Sequence, residues 1–347
     1  MKKTNFSMIY LILAVFVILG IFIGIYIANK NGANISLPAK QSSFMWGVLT
    51  RQSSLQNYTL EFWNKELDYD KQLGVNWIKV DYDAHAGYKR SVEMVGAATA
   101  KKLNVLFQFA PADILKSQKP YEDGYDLGFK MGSKLNNEVT YYQLMSEAAS
   151  TALRGPEYTG EKESDYDAAK YTIVMNWLKG ASDGVRFADP KAKIVINDQW
   201  THFAFFNMIA RDGVKYDILG WNWFSDMGFL GDKTLSDGTK VFDKIKSFNK
   251  PIIFTEINAR PDSIKGMDEN VQADFIAKMA DFAWANKDVV KGFYVLELTD
   301  QPPPQTPSKK PEFYGLIHFK QNADGTYTFG ELKKAFTTYQ SIIKSHI

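Results

Sequence analysis

The carboxyl-terminal three hundred residues of the chain alternate between short apolar runs and longer segments with helical periodicity. Eight of the apolar runs have the length and composition of strands, and their apolar residues are continuous rather than alternating with polar ones. Continuous runs are typical of strands that are buried on both faces of a parallel sheet. The predicted strands are Met45–Leu49, Val75–Asp81, Val105–Ala110, Val139–Met145, Ile194–Asn197, Ile218–Trp223, Ile252–Glu256 and Gly292–Leu298.

Amphipathic segments lie between these strands. Tyr166 to Lys179 is one, and Asn270 to Asn286 is the clearest, because its apolar residues recur at steps of three and four. The expected buried face of this second helix comprises Val271, Phe275, Met279 and Phe282. Eight strand–helix units in about 300 residues predict an α/β protein with a (β/α)₈ TIM barrel. A doubly wound open sheet is the alternative, but no glycine-rich phosphate loop supports it.

The amino-terminal region has a different pattern. Residues 8–28 carry no charge and would span roughly 31 Å as a helix, which is close to the thickness of the bilayer core. Tyr10 and Tyr26 lie near the two ends, where membrane helices carry aromatic residues. This pattern predicts an uncleaved transmembrane signal anchor. A cleaved signal peptide is the alternative, although its apolar core is usually shorter.

The segments on either side of the anchor set the predicted topology. Residues 1–7 contain two lysines and are predicted to stay in the cytoplasm. Residues 29–43 are polar, contain glycine and proline, and are predicted to be a linker. Residues 44–347 then form one domain. We therefore expect a single-pass protein of the cell membrane with residues 44–347 outside the cytoplasm.

Composition excludes several classes of protein. Lysine and arginine total 41 against 39 acidic residues, so the net charge of +2 argues against a nucleic-acid partner. Cysteine is absent, which removes disulfides and thiolate chemistry. The 4 histidines have no metal-binding spacing, and we expect neither a metal nor a cofactor. Aromatic residues make up 14% of the chain, which is compatible with a carbohydrate substrate.

Candidate chemistry lies at the carboxyl ends of the predicted strands, where TIM barrels hold their active sites. Two non-adjacent strands lead to Glu147 and Glu256. A pair of carboxyl groups about 5–5.5 Å apart can cleave a glycosidic bond, one as nucleophile and one as proton donor. We expect these two glutamates to be catalytic. Other side chains at strand ends are predicted to bind the substrate: Arg51, Asp83, His85, Ser146, Trp200, Trp221, Asn222 and Trp223.

The sequences around the two glutamates resemble a known family. Tyr-Tyr-Gln-Leu-Met-Ser-Glu147 and Ile-Ile-Phe-Thr-Glu256 are similar to the retaining glycoside hydrolases of clan A, which are (β/α)₈ enzymes. Shorter similarities occur at 74–80, 217–222 and 298–302. The resemblance implies catalytic glutamates at the ends of strands four and seven, with Glu147 as acid/base and Glu256 as nucleophile.

Two residues depart from the family pattern. The family usually has asparagine immediately before the acid/base, where this chain has Ser146, and often a tyrosine where this chain has Phe224. These departures leave open a barrel that binds glycan without cleaving it, for example in polysaccharide assembly or export. A transglycosylase is a further alternative, because it would use the same two glutamates.

Overall fold

The computed structural model of the chain describes residues 44–50, 59–82, 87–111, 113–261, 266–301 and 313–346. Residues 1–7, the predicted anchor 8–28 and the predicted linker 29–43 lie outside the described residues, as do Arg51, Asp83 and His85. Within the described part, no helix is both long and apolar enough to cross a membrane. The membrane anchor therefore stays a prediction.

Eight parallel strands form a closed barrel in which each strand pairs with its neighbours in chain order and the eighth strand pairs with the first. The predicted TIM barrel is confirmed, and every predicted strand overlaps an observed one. The strands are β1 Met45–Thr50, β2 Trp77–Asp81, β3 Asn104–Gln108, β4 Tyr141–Gln143, β5 Lys193–Gln199, β6 Ile218–Phe224, β7 Ile252–Asn258 and β8 Val290–Val295.

Helices follow the strands and surround the barrel. The two predicted helices are confirmed at Ala168–Ala188 and Glu269–Ala285, and the first extends well beyond its predicted end. In the described residues the α-helices are α1 Leu60–Leu73, α2 Gly87–Ala100, α3 Pro120–Leu135, α4 Ala148–Ala152, α5 Ala168–Ala188, α6 Phe203–Arg211, α7 Val241–Lys246, α8 Glu269–Ala285 and α9 Lys334–Ser345.

The buried face of α8 differs from the prediction. Val271 is 50% exposed, whereas Gln272 beside it is fully buried. The Gln272 amide donates to the backbone carbonyls of Tyr314 and Gly315, at 3.0 and 3.2 Å. Gln272 therefore lies on the buried face, where the apolar periodicity had placed Val271. Its burial is stabilised because its amide binds the segment that follows β8.

The barrel interior has an apolar layer with a polar layer above it. The apolar layer contains one buried residue from each of six strands: Met45, Leu106, Val195, Ile218, Ile253 and Tyr294. Side chains alternate between the two faces of a strand, so Gln108 and Asn197, two positions further along, also face inward. Both are buried, as are Lys79, Asn222 and Glu256. The carboxyl half of the barrel is therefore lined with polar groups.

A hairpin after β8 was not predicted. Its strands are β9 Ile317–Gln321 and β10 Tyr327–Leu332, which pair antiparallel across a turn that contains Asp324 and Gly325. An Asp-Gly pair between two β-prone runs is a hairpin signal. Lys333, buried at the end of this hairpin, donates to Asp300 at 2.6 Å and so fixes the hairpin to the barrel rim.

Candidate active site

Glu147 lies in an unusual turn immediately after β4. The backbone φ angle of Glu147 is 49° and that of Met145 is 64°. Both residues therefore adopt the left-handed conformation, which residues other than glycine rarely adopt. The end of β5 holds this turn: the Asn197 side chain accepts from the Glu147 backbone N–H at 3.1 Å, and Asp198 accepts from that of Ala149. Strain that neighbouring side chains maintain in this way is a frequent property of functional sites.

The Glu147 carboxylate accepts two hydrogen bonds inside the cleft. Gln199 Nε2 donates at 2.7 Å and Asn222 Nδ2 donates at 2.9 Å. Burial and then the charge of Glu256 raise the pKa of Glu147 to about 7, while the Asn222 hydrogen bond and the charge of Arg260 lower it by less. Near neutral pH this carboxyl group therefore exists in both its protonated and its ionised form.

Glu256 lies within β7 and is 6% exposed. Its Oε1 accepts from Lys79 Nζ at 2.6 Å, and its Oε2 accepts from Asn222 at 3.1 Å. The Ser146 hydroxyl lies 3.4 Å from the same Oε1. Lys79 is fully buried within β2, so its ammonium supplies the counter-charge that a buried carboxylate needs.

Asn222 joins the two glutamates. Its Nδ2 donates to both, and its Oδ1 accepts from Thr255 at 2.7 Å and from Asn197 at 3.1 Å, which fixes the orientation of the amide. Because one nitrogen donates to both carboxylates, the two oxygens that it contacts are separated by no more than about 6 Å. The predicted pair thus meets in one cleft at the carboxyl end of the barrel.

The three tryptophans lie in different environments. Trp200 is partly exposed and stacks on the buried Trp223, with ring centroids 5.8 Å apart. Trp221 is fully buried and stacks on Phe203 and Phe206 of α6. Trp221 and Trp223 are both fully buried, so the prediction that these two indoles contact the substrate is wrong. Adjacent strand residues face opposite sides of a sheet, and inward-facing Asn222 directs Trp221 outward into the core between barrel and helices.

Phe224 forms part of a wall near the two glutamates. The guanidinium of Arg260 lies 3.8 Å from the centroid of the Phe224 ring and donates to the Tyr314 hydroxyl at 2.7 Å. Tyr314 packs on Phe224 with centroids 6.0 Å apart. A tyrosine hydroxyl is thus present beside Phe224, but it comes from the segment after β8 rather than from β6.

Sequence reasoning missed Lys79, Gln199 and Asn197, which hold the two glutamates or the turn before α4. Lys79 carried a usable signal, because a lysine between Ile78 and Val80 of a buried strand requires a charged partner. Gln199 carried none, since its role depends on the neighbouring strand. No group of three or more potential metal ligands occurs in the part of the chain that the structure describes.

The fold is similar to that of known glycosidases, although neither a protein-family model nor a curated protein sequence matches the chain. A family 1 β-glucosidase from Thermotoga maritima superposes with a TM-score of 0.64 at 12% identity, covering 88% of this chain and 98% of that one. The β-glucosidase of Thermotoga maritima bound to noeuromycin gives 0.64 at 13% identity, covering 89% and 99%. The same enzyme bound to cyclophellitol gives 0.62 at 14% identity, also covering 89% and 99%. At identities of 12–14% this similarity shows the fold alone.

Proposed function

We propose that this chain is a retaining glycoside hydrolase that acts on an oligo- or polysaccharide outside the cytoplasm. The observation that carries the proposal is the contact of one amide nitrogen, Asn222 Nδ2, with both Glu147 and Glu256. The bound of about 6 Å between the bonded oxygens is compatible with the roughly 5–5.5 Å separation of the carboxyl groups in retaining enzymes, and we therefore propose a double displacement.

The two glutamates have different roles in this mechanism. The Glu256 carboxylate attacks the anomeric carbon while the bond to the leaving oxygen breaks, and Glu147 gives its proton to that oxygen. Glu147, now ionised, then takes a proton from water, which attacks the same carbon and releases Glu256. A pKa near 7 suits Glu147 for giving and then taking a proton at neutral pH.

Around the pair, Asn222 orients both carboxylates and Lys79 balances the charge of Glu256. The partly exposed Trp200 is the aromatic surface proposed to stack on a sugar ring, supported by Trp223 beneath it. Ser146 lies beside Glu256 and would contact the sugar near the carbon under attack. The proposed roles of Arg51, Asp83 and His85 in binding substrate rest on the sequence alone.

Two variants test the mechanism on nitrophenyl glycosides, beginning with β-glucosides because the neighbours in fold are β-glucosidases. Glu256→Gln should abolish turnover. Glu147→Ala should still form the glycosyl-enzyme, because nitrophenol leaves without a proton, but should then stall. A general acid/base contributes typically 10²–10⁴-fold, so the defect is measurable. Added azide should restore turnover and give a glycosyl azide of retained configuration.

The control is Glu331→Gln, which removes an exposed carboxylate on β10 and should leave turnover unchanged. An azide product of inverted configuration would contradict retention. Glycan binding without turnover in the unaltered protein would instead favour the non-catalytic barrel, and sugar transfer to a second saccharide would favour a transglycosylase.

We also propose that residues 8–28 anchor the protein in the cell membrane with the catalytic domain outside. The uncharged run of residues motivates this proposal. The full-length chain should sediment with membranes, and its domain should be digested by protease added to the outer side. A soluble product that begins near residue 29 would show that the segment is a cleaved signal instead.

A further inference from the structure

A cavity of about 560 Å³ opens beside Ser146, at the carboxyl ends of β3 and β4. Its volume lies within the usual range of small-molecule sites. It is bounded by the end of β3, the loop before α3, the end of β4 and the helix α4. Residues that line it include Gln108, Ile114, Leu115, Met145, Ser146 and Thr151.

Ser146 lies between this cavity and the proposed nucleophile. Its hydroxyl is 3.4 Å from Glu256 Oε1, and the same residue lines the cavity. A group attached to the carbon next to the attacked one would therefore approach Ser146. Gln199 of β5 and Asn222 of β6 hold Glu147, whereas the cavity lies at the ends of β3 and β4. A leaving group beside Glu147 would therefore place the retained sugar toward β3 and β4.

The lining of the cavity fits a small amide better than a charged group. Ile114, Leu115 and Met145 are apolar, while Ser146 and Thr151 contribute hydroxyl groups. The charged residues of the lining, Asp113 and Lys116, form an ion pair with each other at 3.0 Å. An acetamido group combines a methyl group with an N–H and a carbonyl, and so matches both parts of this lining.

We propose that Ser146 determines specificity by leaving space for a 2-acetamido group, so that the enzyme acts on 2-acetamido-2-deoxy sugars. This inference rests on the proposed hydrolase function. A larger residue at position 146 would fill the entrance to the cavity, whereas serine leaves the entrance open. The site thus selects sugars whose second carbon carries an N-acetyl group over those that carry a hydroxyl.

The test uses the full-length protein and matched pairs of nitrophenyl glycosides that differ only in the 2-hydroxyl or 2-acetamido group. The unaltered protein should favour the 2-acetamido member in kcat/KM. Ser146→Asn narrows the entrance and should lower the ratio of the two kcat/KM values roughly 10–200-fold, the range for a steric mismatch in a pocket. Ser146→Ala removes one hydroxyl but adds no bulk, so it should lower the ratio much less than Ser146→Asn does.

Binding of free N-acetylglucosamine and glucose, measured by calorimetry, separates the two proposals. Selective binding of N-acetylglucosamine that Ser146→Asn abolishes, without hydrolysis of any glycoside, would retain the cavity assignment and overturn the hydrolase. Hydrolysis that prefers 2-hydroxy sugars, or a ratio that Ser146→Asn leaves unchanged, would overturn the cavity assignment and retain the hydrolase.

Discussion

At the residue scale, the two glutamates differ in their surroundings and therefore in the roles proposed for them. Glu256 has a buried ammonium against it, whereas the hydrogen-bond donors of Glu147 are neutral amides. Two carboxyl groups in one cleft thus receive different electrostatic environments, which is how one site can hold a nucleophile and a proton donor together.

The raised pKa of Glu147 predicts the pH dependence of the proposed hydrolysis. Protonation of the leaving group requires the acid form, so kcat/KM should fall above about pH 7, by roughly tenfold per pH unit. Burial is the largest cause of the raised pKa of Glu147, and the charge of Glu256 is the second. Glu256→Gln should therefore lower the pKa of Glu147 without restoring its ordinary value of 4.5. Carbon-13 NMR titration of Glu147 in that variant measures this change. An unshifted titration would show that the two carboxyl groups do not interact.

Lys79 supports a second prediction at the same scale. Lys79→Met leaves the buried Glu256 carboxylate without its counter-charge, which should cost about 3–5 kcal/mol of stability. Lys79→Met combined with Glu256→Gln removes both charges and should recover most of that loss, as judged by urea unfolding. Lys79→Arg keeps the charge and is the matched control. If the double variant is as unstable as Lys79→Met, then Lys79 contributes packing rather than charge.

The site residues that the sequence identified are placed by local sequence, whereas those that it missed are placed by contacts between strands. Glu147, Glu256 and Asn222 follow apolar runs, so their place at a strand end is local information. The roles of Lys79 and Gln199 depend on which residue faces them from another strand, which only barrel closure sets. Trp221 and Trp223 were misassigned because three consecutive residues of one strand were given to the same groove, although a strand alternates its faces.

At the element scale, α3 and α5 pack at unusually short range. A Cβ atom built on Gly128 of α3 would lie 2.4 Å from the Ala181 carbonyl oxygen of α5, and one on Gly180 of α5 would lie 1.9 Å from the Tyr121 carbonyl oxygen of α3. Glycines on both helices therefore let the two backbones touch. The loop containing Ile114 and Leu115 leads into α3, so this packing also positions one side of the cavity beside Ser146.

Gly128→Ala tests this packing. Forcing a methyl group against the α5 backbone should destabilise the protein by about 1–3 kcal/mol, the usual range for overpacking. The matched control is Gly96→Ala in α2, where the nearest atom to a new Cβ is Glu138 Oε2 at 3.5 Å. Alanine favours helix by roughly 1 kcal/mol over glycine, so that variant should be neutral or stabilised. Equal thermal midpoints for the two variants would contradict the close helix contact.

Strands were predicted better than helices because the two kinds of element bury different fractions of their surface. Barrel strands are buried on both faces, so their apolar runs stand out regardless of register. α8 buries only one stripe, and a single polar residue with a partner, Gln272, moves Val271 out of that stripe. The hairpin of β9 and β10 lies outside the regular strand–helix alternation, so the barrel pattern gave no reason to expect it.

At the scale of the whole molecule, the barrel is closed by the two ends of the domain. β1 pairs with β8, and the Tyr339 hydroxyl of α9 reaches the backbone carbonyls of Gly47 and Phe293 across that seam, at 3.0 and 3.2 Å. His346 stacks on Trp284 with centroids 4.5 Å apart. The last helix therefore covers the place where the first strand of the barrel meets the last.

Removal of α9 should prevent stable folding. Deletion of residues 334–347 removes Phe336, Tyr339 and Ile343, each of which is at most 1% exposed. Full burial of such side chains stabilises by about 1.5–3 kcal/mol each, which together approaches the 5–15 kcal/mol that separates a folded domain from its unfolded state. The truncated protein should therefore aggregate or lack a cooperative thermal transition. The control is Tyr339→Phe, which keeps the ring and should lose only about 1 kcal/mol of stability with its hydrogen bonds. If the truncated protein instead unfolds cooperatively at a temperature close to that of Tyr339→Phe, the seam between β1 and β8 is stable without α9.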